Sequence, residues 1–273
     1  MSLAPILFSA GLAAFSGMPG LAMKKRAGTG QWLATVLMIA AAAVGLPIAI
    51  MNLASGTTSA IDTAWMLPIG RFAIGLDAVS AIFLVPVLII PVLGSIYGMG
   101  YWRQNEHPTN AQKLRLFYGL LTASMMLVVL ARDGVLFLIA WEVMAISAFF
   151  LITTEDHDSS VRQSGWIYLV ATHLGALCLI AMFGLLAKTA GSFSLAPAAI
   201  GALPNDTKTA VFMLALVGFG LKAGLMPLHI WLPGAHANAP SHVSAMLSGV
   251  MLKMGVYGIV RMISILPLPP MIA

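Results

Sequence analysis

The sequence predicts an all-α, polytopic membrane protein of about eight transmembrane helices, the seventh of them broken at a proline. Three observations predict it. Of 273 residues, 60% are hydrophobic and only 8% are charged. Apolar runs of about 20 residues, the length that crosses a bilayer, recur along the chain. The polar stretches between them are short. The runs cover 3–22, 31–54, 78–101, 114–131, 134–154, 163–187, 209–231 and 240–264, a single membrane domain without soluble modules.

In the first run the cluster Lys24-Lys25-Arg26 follows the apolar stretch. A signal peptide carries its positive charge ahead of that stretch, so this run reads as a retained helix. The stretch 55–77 has turn residues at both ends and predicts a small hairpin or irregular cap. Asp77 then opens the third run as a helix cap, a position that aspartate favours. Loop 102–113 is polar and solvated. Arg132 and Asp133 form the tight turn between the fourth and fifth runs and are expected to pair with each other at the surface. In loop 155–162, Glu155, Asp156 and Asp158 read as solvated residues rather than a metal cluster. The sixth run holds Cys178, the single cysteine, in a packing role, and His173, expected to hydrogen-bond a neighbouring helix. The Gly/Pro-rich loop 191–208 is expected to lie along the surface.

The seventh run contains its own interruption. Pro227 has no N–H to give the carbonyl of Ala223, and Gly224 loosens the same turn, so the helix is kinked or broken there. Non-helical backbone at membrane depth is tolerated only where it is buried in protein or lines a wet cavity. Pro233 and Pro240 punctuate the return to the eighth run.

A net charge of +5 on such a chain signals no nucleic-acid partner. Its distribution bears on orientation, because basic residues in short loops mark the cytoplasmic side. With the N-terminus outside, Lys24, Lys25, Arg26, Arg103, Lys113, Arg115 and Arg162 fall inside. Arg71, Arg132, Lys188, Lys208 and Arg261 fall outside. The cluster beside the first helix favours that orientation.

Three ionisable side chains depart from the pattern: Glu142, Lys222 and Lys253 each sit near the middle of an apolar run. Charge at the bilayer centre costs about 2.5–3.5 kcal/mol per residue even on lenient scales. Such residues either move ions or lock helices together as an ion pair. Lys222 is the natural candidate partner for Glu142. Between Lys222 and Lys253 lie His229, His236 and His242, which either shuttle protons or hydrogen-bond between helices. Their seven- and six-residue spacings suit no helical metal motif, so no metal site is expected. No phosphate loop, nucleophile elbow, haem motif or iron–sulfur cysteine set appears, which predicts no cofactor in this chain and places redox chemistry in a partner.

The run GFGLKAGLMPLHIWLPGAHANAPSHVSAMLSGVMLKMGVYGIVRM, residues 218–262, and LFLIAWEVMAISAFFLI before it resemble the antiporter-like proton-translocating membrane subunits. That family spans respiratory complex I, Mrp-type cation/proton antiporters and membrane-bound hydrogenases. The phrases KAGLMPLHIWLPGAHANAPSHVSA and SGVMLKMG are most similar to the antiporter-like membrane subunits of the hydrogenase-4 and formate hydrogenlyase type. The resemblance covers most of residues 65–265. It implies two inverted five-helix repeats, each with a broken helix, and a relay that carries protons across the central membrane plane. Glu142 matches the family's fifth-helix glutamate, Lys222 the lysine of the broken helix, Lys253 the eighth-helix basic residue and His242 the histidine that opens that helix. His229 or His242, with water, would pass protons from Lys222 towards Lys253.

On this resemblance, residues 1–110 hold three N-terminal helices and 111–267 the first repeat. The second repeat does not appear in these 273 residues. A truncated product, one half of a split subunit and a partial sequence all fit that observation. The implied partners are other membrane subunits, a soluble redox arm, the lipid bilayer and a separate chain supplying the second repeat. The implied location is a bacterial or archaeal inner membrane. Two rivals stand beside the proton-translocating reading: a cation/proton antiporter component and a non-conducting membrane scaffold.

Overall fold

Burying one apolar run against the next gives a bundle whose helices alternate in direction through short connections. A computed structural model describes residues 2–23, 28–196 and 203–266. Lys24, Lys25 and Arg26, on which the expected orientation rests, lie outside the described residues, as does 197–202 of the surface loop.

Helix α1 (Ala4–Phe15) continues into the short α2 (Met18–Leu21), and together they form the first span. Then come α3 (Thr29–Ser55), α4 (Ala78–Tyr101), α5 (Ala111–Leu130), α6 (Gly134–Ile152) and α7 (Ser159–Ala190). Helix α8 (Asn205–Ala223) ends in mid-run, α9 (Leu232–Asn238) follows, and α10 (Ser241–Ile265) closes the described chain. Seven helices among the described residues are long and apolar enough to cross a bilayer. The eighth expected span is α8 with its break. Its polar first turn, Asn205-Asp206-Thr207-Lys208, and Lys222 keep it off that count. The chain is a multi-pass membrane protein.

Between α3 and α4 the expected hairpin is present. Strand β1 (Ser59–Thr63) pairs antiparallel with β2 (Phe72–Leu76) in the register Ser59↔Leu76. Asp62 and Arg71 bridge its loop end at 2.6 Å. Asp77 caps α4 as expected, accepting from the Ser80 amide at 2.9 Å.

The Arg132–Asp133 expectation is corrected. The two do not pair. Asp133 is buried and turned towards its own helix, where its Oδ1 accepts from the amides of Val135 and Leu136. Arg132 turns the other way, towards Ser80 and Asp77. Adjacent residues in extended backbone point to opposite sides, and the free amides that open α6 claim the carboxylate. Asp158 likewise caps α7 through the Ser160 amide, so the acidic loop 155–162 is partly a helix start.

Small residues let the helices of the second half approach closely. A methyl group on Gly175 of α7 would meet the Gly218 carbonyl of α8 at 3.0 Å. One on Gly255 of α10 would meet the Ala223 amide nitrogen and the Phe219 oxygen of α8 at 2.5 Å. Helix α8 is therefore wedged between α7 and α10, with Lys222 in its last turn.

Candidate functional site

The break in α8 shapes the site. Gly224, at φ +70°, ends the helix in the left-handed region, and the amides of Gly224 and Leu225 both return to the Gly220 carbonyl. This is a Schellman-type ending. Residues 224–231 then run as turns. Ending the helix here frees the carbonyl of Leu221, which Leu225 would otherwise have bonded. The indole Nε1–H of buried Trp231 donates to that carbonyl at 2.8 Å. The freed backbone group is thus satisfied inside the protein, as membrane depth requires.

Lys222 is the buried cation of this turn, with 3% of its surface exposed. Its Nζ donates to the Tyr168 hydroxyl at 2.8 Å. It also lies 5.0 Å from the centre of the Tyr168 ring and 6.0 Å from that of Trp141. The Tyr168 hydroxyl donates onward to the Ala145 carbonyl at 3.2 Å, which leaves its oxygen lone pair facing the lysine. Aromatic faces and the carbonyl end of a helix both favour a cation.

Lys222, the candidate partner of Glu142, is not the residue that its carboxylate approaches. The ion-pair partner of Glu142 among the described residues is His173 of α7, at 3.7 Å from its Nε2. The His173 Nδ1 sits 2.9 Å from the Leu169 carbonyl, so its hydrogen bond stays within its own helix and only the longer approach to Glu142 reaches a neighbouring one. Lys222 makes no ion pair with Glu142 among the described residues. The reason is helical phase: Trp141 points inward against Phe137 and Phe219, and the next residue is rotated by about 100°. Glu142 is half-buried and His173 exposed, on one flank of the bundle.

Lys253 lies apart from both. Gly255 faces α8, and a residue two positions earlier is rotated by about 200°, so Lys253 is exposed on the far side of α10. Its Nζ bonds the Ser248 carbonyl, which lies in a π-helical turn, Leu247–Met251. Such bulges release backbone carbonyls and occur often at functional sites. His229 lies within the break beside Gly224, its buried Nδ1 making no hydrogen bond among the described residues. His242, in the first turn of α10, is 5% exposed and edged by the rings of Tyr101 and Tyr118. His236 Nδ1 meets the Ser244 hydroxyl at 2.7 Å. The structure brings Glu142, His173, Tyr168, Trp141 and Lys222 into one neighbourhood and leaves Lys253 and His242 outside it.

The site's comparison with known proteins decides its family. A family model described as NADH:quinone oxidoreductase/Mrp antiporter, TM, matches residues 131–272, which hold every one of these side chains. The chain belongs to that family. Hydrogenase-4 component B of Escherichia coli is 31% identical over 229 residues, 84% of this chain and 34% of that protein. An uncharacterized protein of Mycobacterium tuberculosis is 39% identical over 206 residues, 76% of this chain and 31% of its own length. The chain thus spans about a third of the length of these curated relatives. In fold, a chain of the Mrp complex from Dietzia sp. superposes with a TM-score of 0.80 at 25% identity, over 99% of this chain and 29% of that one.

A second ionic cluster lies at the hairpin end of the bundle. Arg261 of α10 makes two bonds to Asp77, at 2.6 and 2.9 Å, and Arg132 approaches the same carboxylate at 3.4 Å. Both guanidiniums donate to Ser80 Oγ at 2.9 Å. Burial alone would raise the Asp77 carboxyl, but the Arg261 bond, the Ser80 amide and the two arginine charges outweigh it. They hold Asp77 well below the usual carboxylate range. Sequence reasoning missed this cluster, and also Tyr168, Trp231 and the role of His173. Tyr168 had a partial signal in its helical phase, since it shares a buried face with Thr172, Gly175 and Leu179.

Proposed function

We propose that the chain is a proton-translocating membrane subunit of a redox-driven membrane-bound complex. The complex would be of the hydrogenase-4/formate hydrogenlyase or NADH:quinone oxidoreductase type, in a bacterial or archaeal inner membrane with the N-terminus outside. The observation that carries the reading is Lys222, a buried cation at a helix break that touches a hydroxyl and two aromatic faces but no carboxylate. An ammonium so placed costs several kcal/mol unless its surroundings compensate. A structural cation would have a carboxylate in contact. Lys222 has one only at a distance, so its proton responds to the charge of Glu142.

In this reading Lys222 accepts a proton, and Tyr168 holds the ammonium in place. Glu142, on the flank of the bundle and paired with His173, sets the charge that Lys222 experiences. A change beside one group alters the proton affinity of the next. His229 and His242 pass protons on towards Lys253, with water spanning the gaps. The partners are other membrane subunits, a soluble redox arm that carries the electrons and cofactors, and a chain segment that supplies the second repeat.

A cation/proton antiporter component is the second reading, favoured by the fold shared with the Mrp chain. Proton movement in inverted vesicles separates the readings, with wild type compared against Glu142→Gln in the assembled complex. The proposal expects movement that needs an electron donor and slows in Glu142→Gln. Sodium-dependent movement without a donor supports the antiporter. Donor-driven pumping unchanged in Glu142→Gln leaves a non-conducting scaffold.

A further inference from the structure

At the end of the bundle opposite the hairpin lies a partly open cavity of about 30 Å³. Its wall includes Ser16, Gln31, Thr35, Arg115, Tyr118 and His242. Most of that wall comes from α1, α3, α4 and α5, ahead of the residues that the family model matches, and only His242 comes from within them. The sequence places Arg115 among the loop charges. It lies instead in α5, four residues past Ala111, about 6 Å into the helix.

Two buried polar atoms of this wall have no partner among the described residues. The buried Nη2 of Arg115 makes no hydrogen bond among the described residues, and neither does the buried Nδ1 of His242. Of the other polar side chains, Ser95 makes no hydrogen bond among the described residues, and four are committed. The hydroxyl of Ser16 donates to Ala13, that of Thr35 to Gln31 and that of Tyr118 to Pro91, and the Gln31 amide donates to Gly98. A buried polar group left unsatisfied costs about 1–3 kcal/mol, more when it is charged. A polar cavity needs only about 10–15 Å³ to hold a water. This one has room for one or two.

The two orphans have opposite needs. A guanidinium N–H can only donate, and a neutral imidazole with its proton on Nε2 accepts at Nδ1. A water that accepts from Arg115 is polarised by that charge and turns its hydrogens away, towards an acceptor. Gln31, 8% exposed, also borders a surface cleft formed with Gly28, Trp32, Arg103 and Gln104. It therefore stands between that cleft and the cavity.

We propose that this cavity is a hydrated proton port: Arg115 positions the water through which His242 exchanges its proton with the cleft beside Gln31. Arg115 does not itself carry the proton. The titratable and charged groups that face His242 here are Arg115, Tyr118 and Tyr101, and none of them is an acid that would compete for the water's hydrogens. The port rests on the proton-relay reading for its use, but its hydration does not.

Two measurements on the assembled complex in nanodiscs test it. An experimental map fine enough to show solvent should place one or two waters within hydrogen-bond reach of Arg115 Nη2 and His242 Nδ1. A dry cavity, or Arg115 bonded to a protein carbonyl, overturns the proposal. Donor-driven pumping should then fall about tenfold in Arg115→Leu, most at the alkaline end of its pH profile where protons are scarce, and recover in Arg115→Lys, which restores a donor. Lys222→Ala serves as the control. If Lys222→Ala abolishes pumping while Arg115→Leu leaves it unchanged, the port falls alone. If Lys222→Ala leaves pumping intact, the relay reading falls, and the water positions decide whether the hydrated cavity stands.

Discussion

Asp77→Asn is the substitution with the most to say about what holds the bundle together. Asparagine keeps the shape and the oxygen that caps α4, so the helix start survives. What disappears is the charge between Arg132 and Arg261. Both guanidiniums already share Ser80 Oγ at 2.9 Å, and Arg261 is only 8% exposed. Removing one partner of a buried pair costs about 3–5 kcal/mol, mostly through the charge left behind. Asp77 keeps a quarter of its side chain in solvent, and asparagine still accepts one bond, so the lower figure, about 3 kcal/mol, applies. The assay is reversible or thermal unfolding in detergent, with Arg261→Met added as a second substitution. The double variant removes one of the two stranded charges and should be more stable than Asp77→Asn alone, by at least about 1 kcal/mol. The pH dependence has a fixed sign. A carboxylate held low in the folded state stabilises above its unfolded value of about 3.9 and loses that contribution only as pH falls below it. Wild type should therefore keep this cluster's full contribution, with no pH dependence from it, between pH 5 and 8 and weaken in stronger acid, whereas Asp77→Asn should lack that acid-side loss. A single variant within about 0.5 kcal/mol of wild type, or strictly additive losses in the double, would refute the reasoning.

Tyr168→Phe removes the only hydrogen-bond acceptor of Lys222 among the described residues. A bond to a charged group is worth about 1.5–3 kcal/mol, so pumping should slow roughly 10–100-fold if the charged state lies on the limiting step, as steady-state vesicle rates would show. Gly255→Ala places a methyl group 2.5 Å from α8 backbone atoms. It should force α8 and α10 apart, cost about 1–3 kcal/mol and lower the unfolding midpoint. By contrast, Gly184 has no atom near its missing methyl, so Gly184→Ala should be neutral or slightly stabilising in the same assay. Trp231→Phe leaves the Leu221 carbonyl unpaired at the break and should destabilise by about 1–3 kcal/mol, with faster amide exchange across 220–232.

The helices, the hairpin and the Asp77 cap were legible because each depends on local rules: run length, turn residues and free amides. So was the break, since Gly224 and Pro227 act within one turn. Contacts between helices were not legible. Lys222 meets Tyr168 rather than Glu142 because Trp141, one position earlier, takes the inward direction on α6. Lys253 sits near the middle of its run, yet Gly255 fixes the opposite face of α10 against α8. Arg132 and Asp133 are neighbours in sequence but answer to different partners, one to a carboxylate fifty-odd residues earlier and the other to its own helix amides. Position along a run gives depth in the membrane. Only packing gives direction around the helix.

The central claim is that protons pass by way of Lys222. It is tested most directly by protons moved per electron in vesicles, with wild type, Lys222→Ala and Lys222→Arg compared at matched abundance of assembled complex. The account predicts that Lys222→Ala keeps the complex assembled and its electron transfer measurable but moves few or no protons. It predicts the same for Lys222→Arg, because a guanidinium holds its proton and cannot pass it on. An unchanged ratio of protons to electrons in Lys222→Ala would contradict the account and leave the buried lysine a structural element of the bundle.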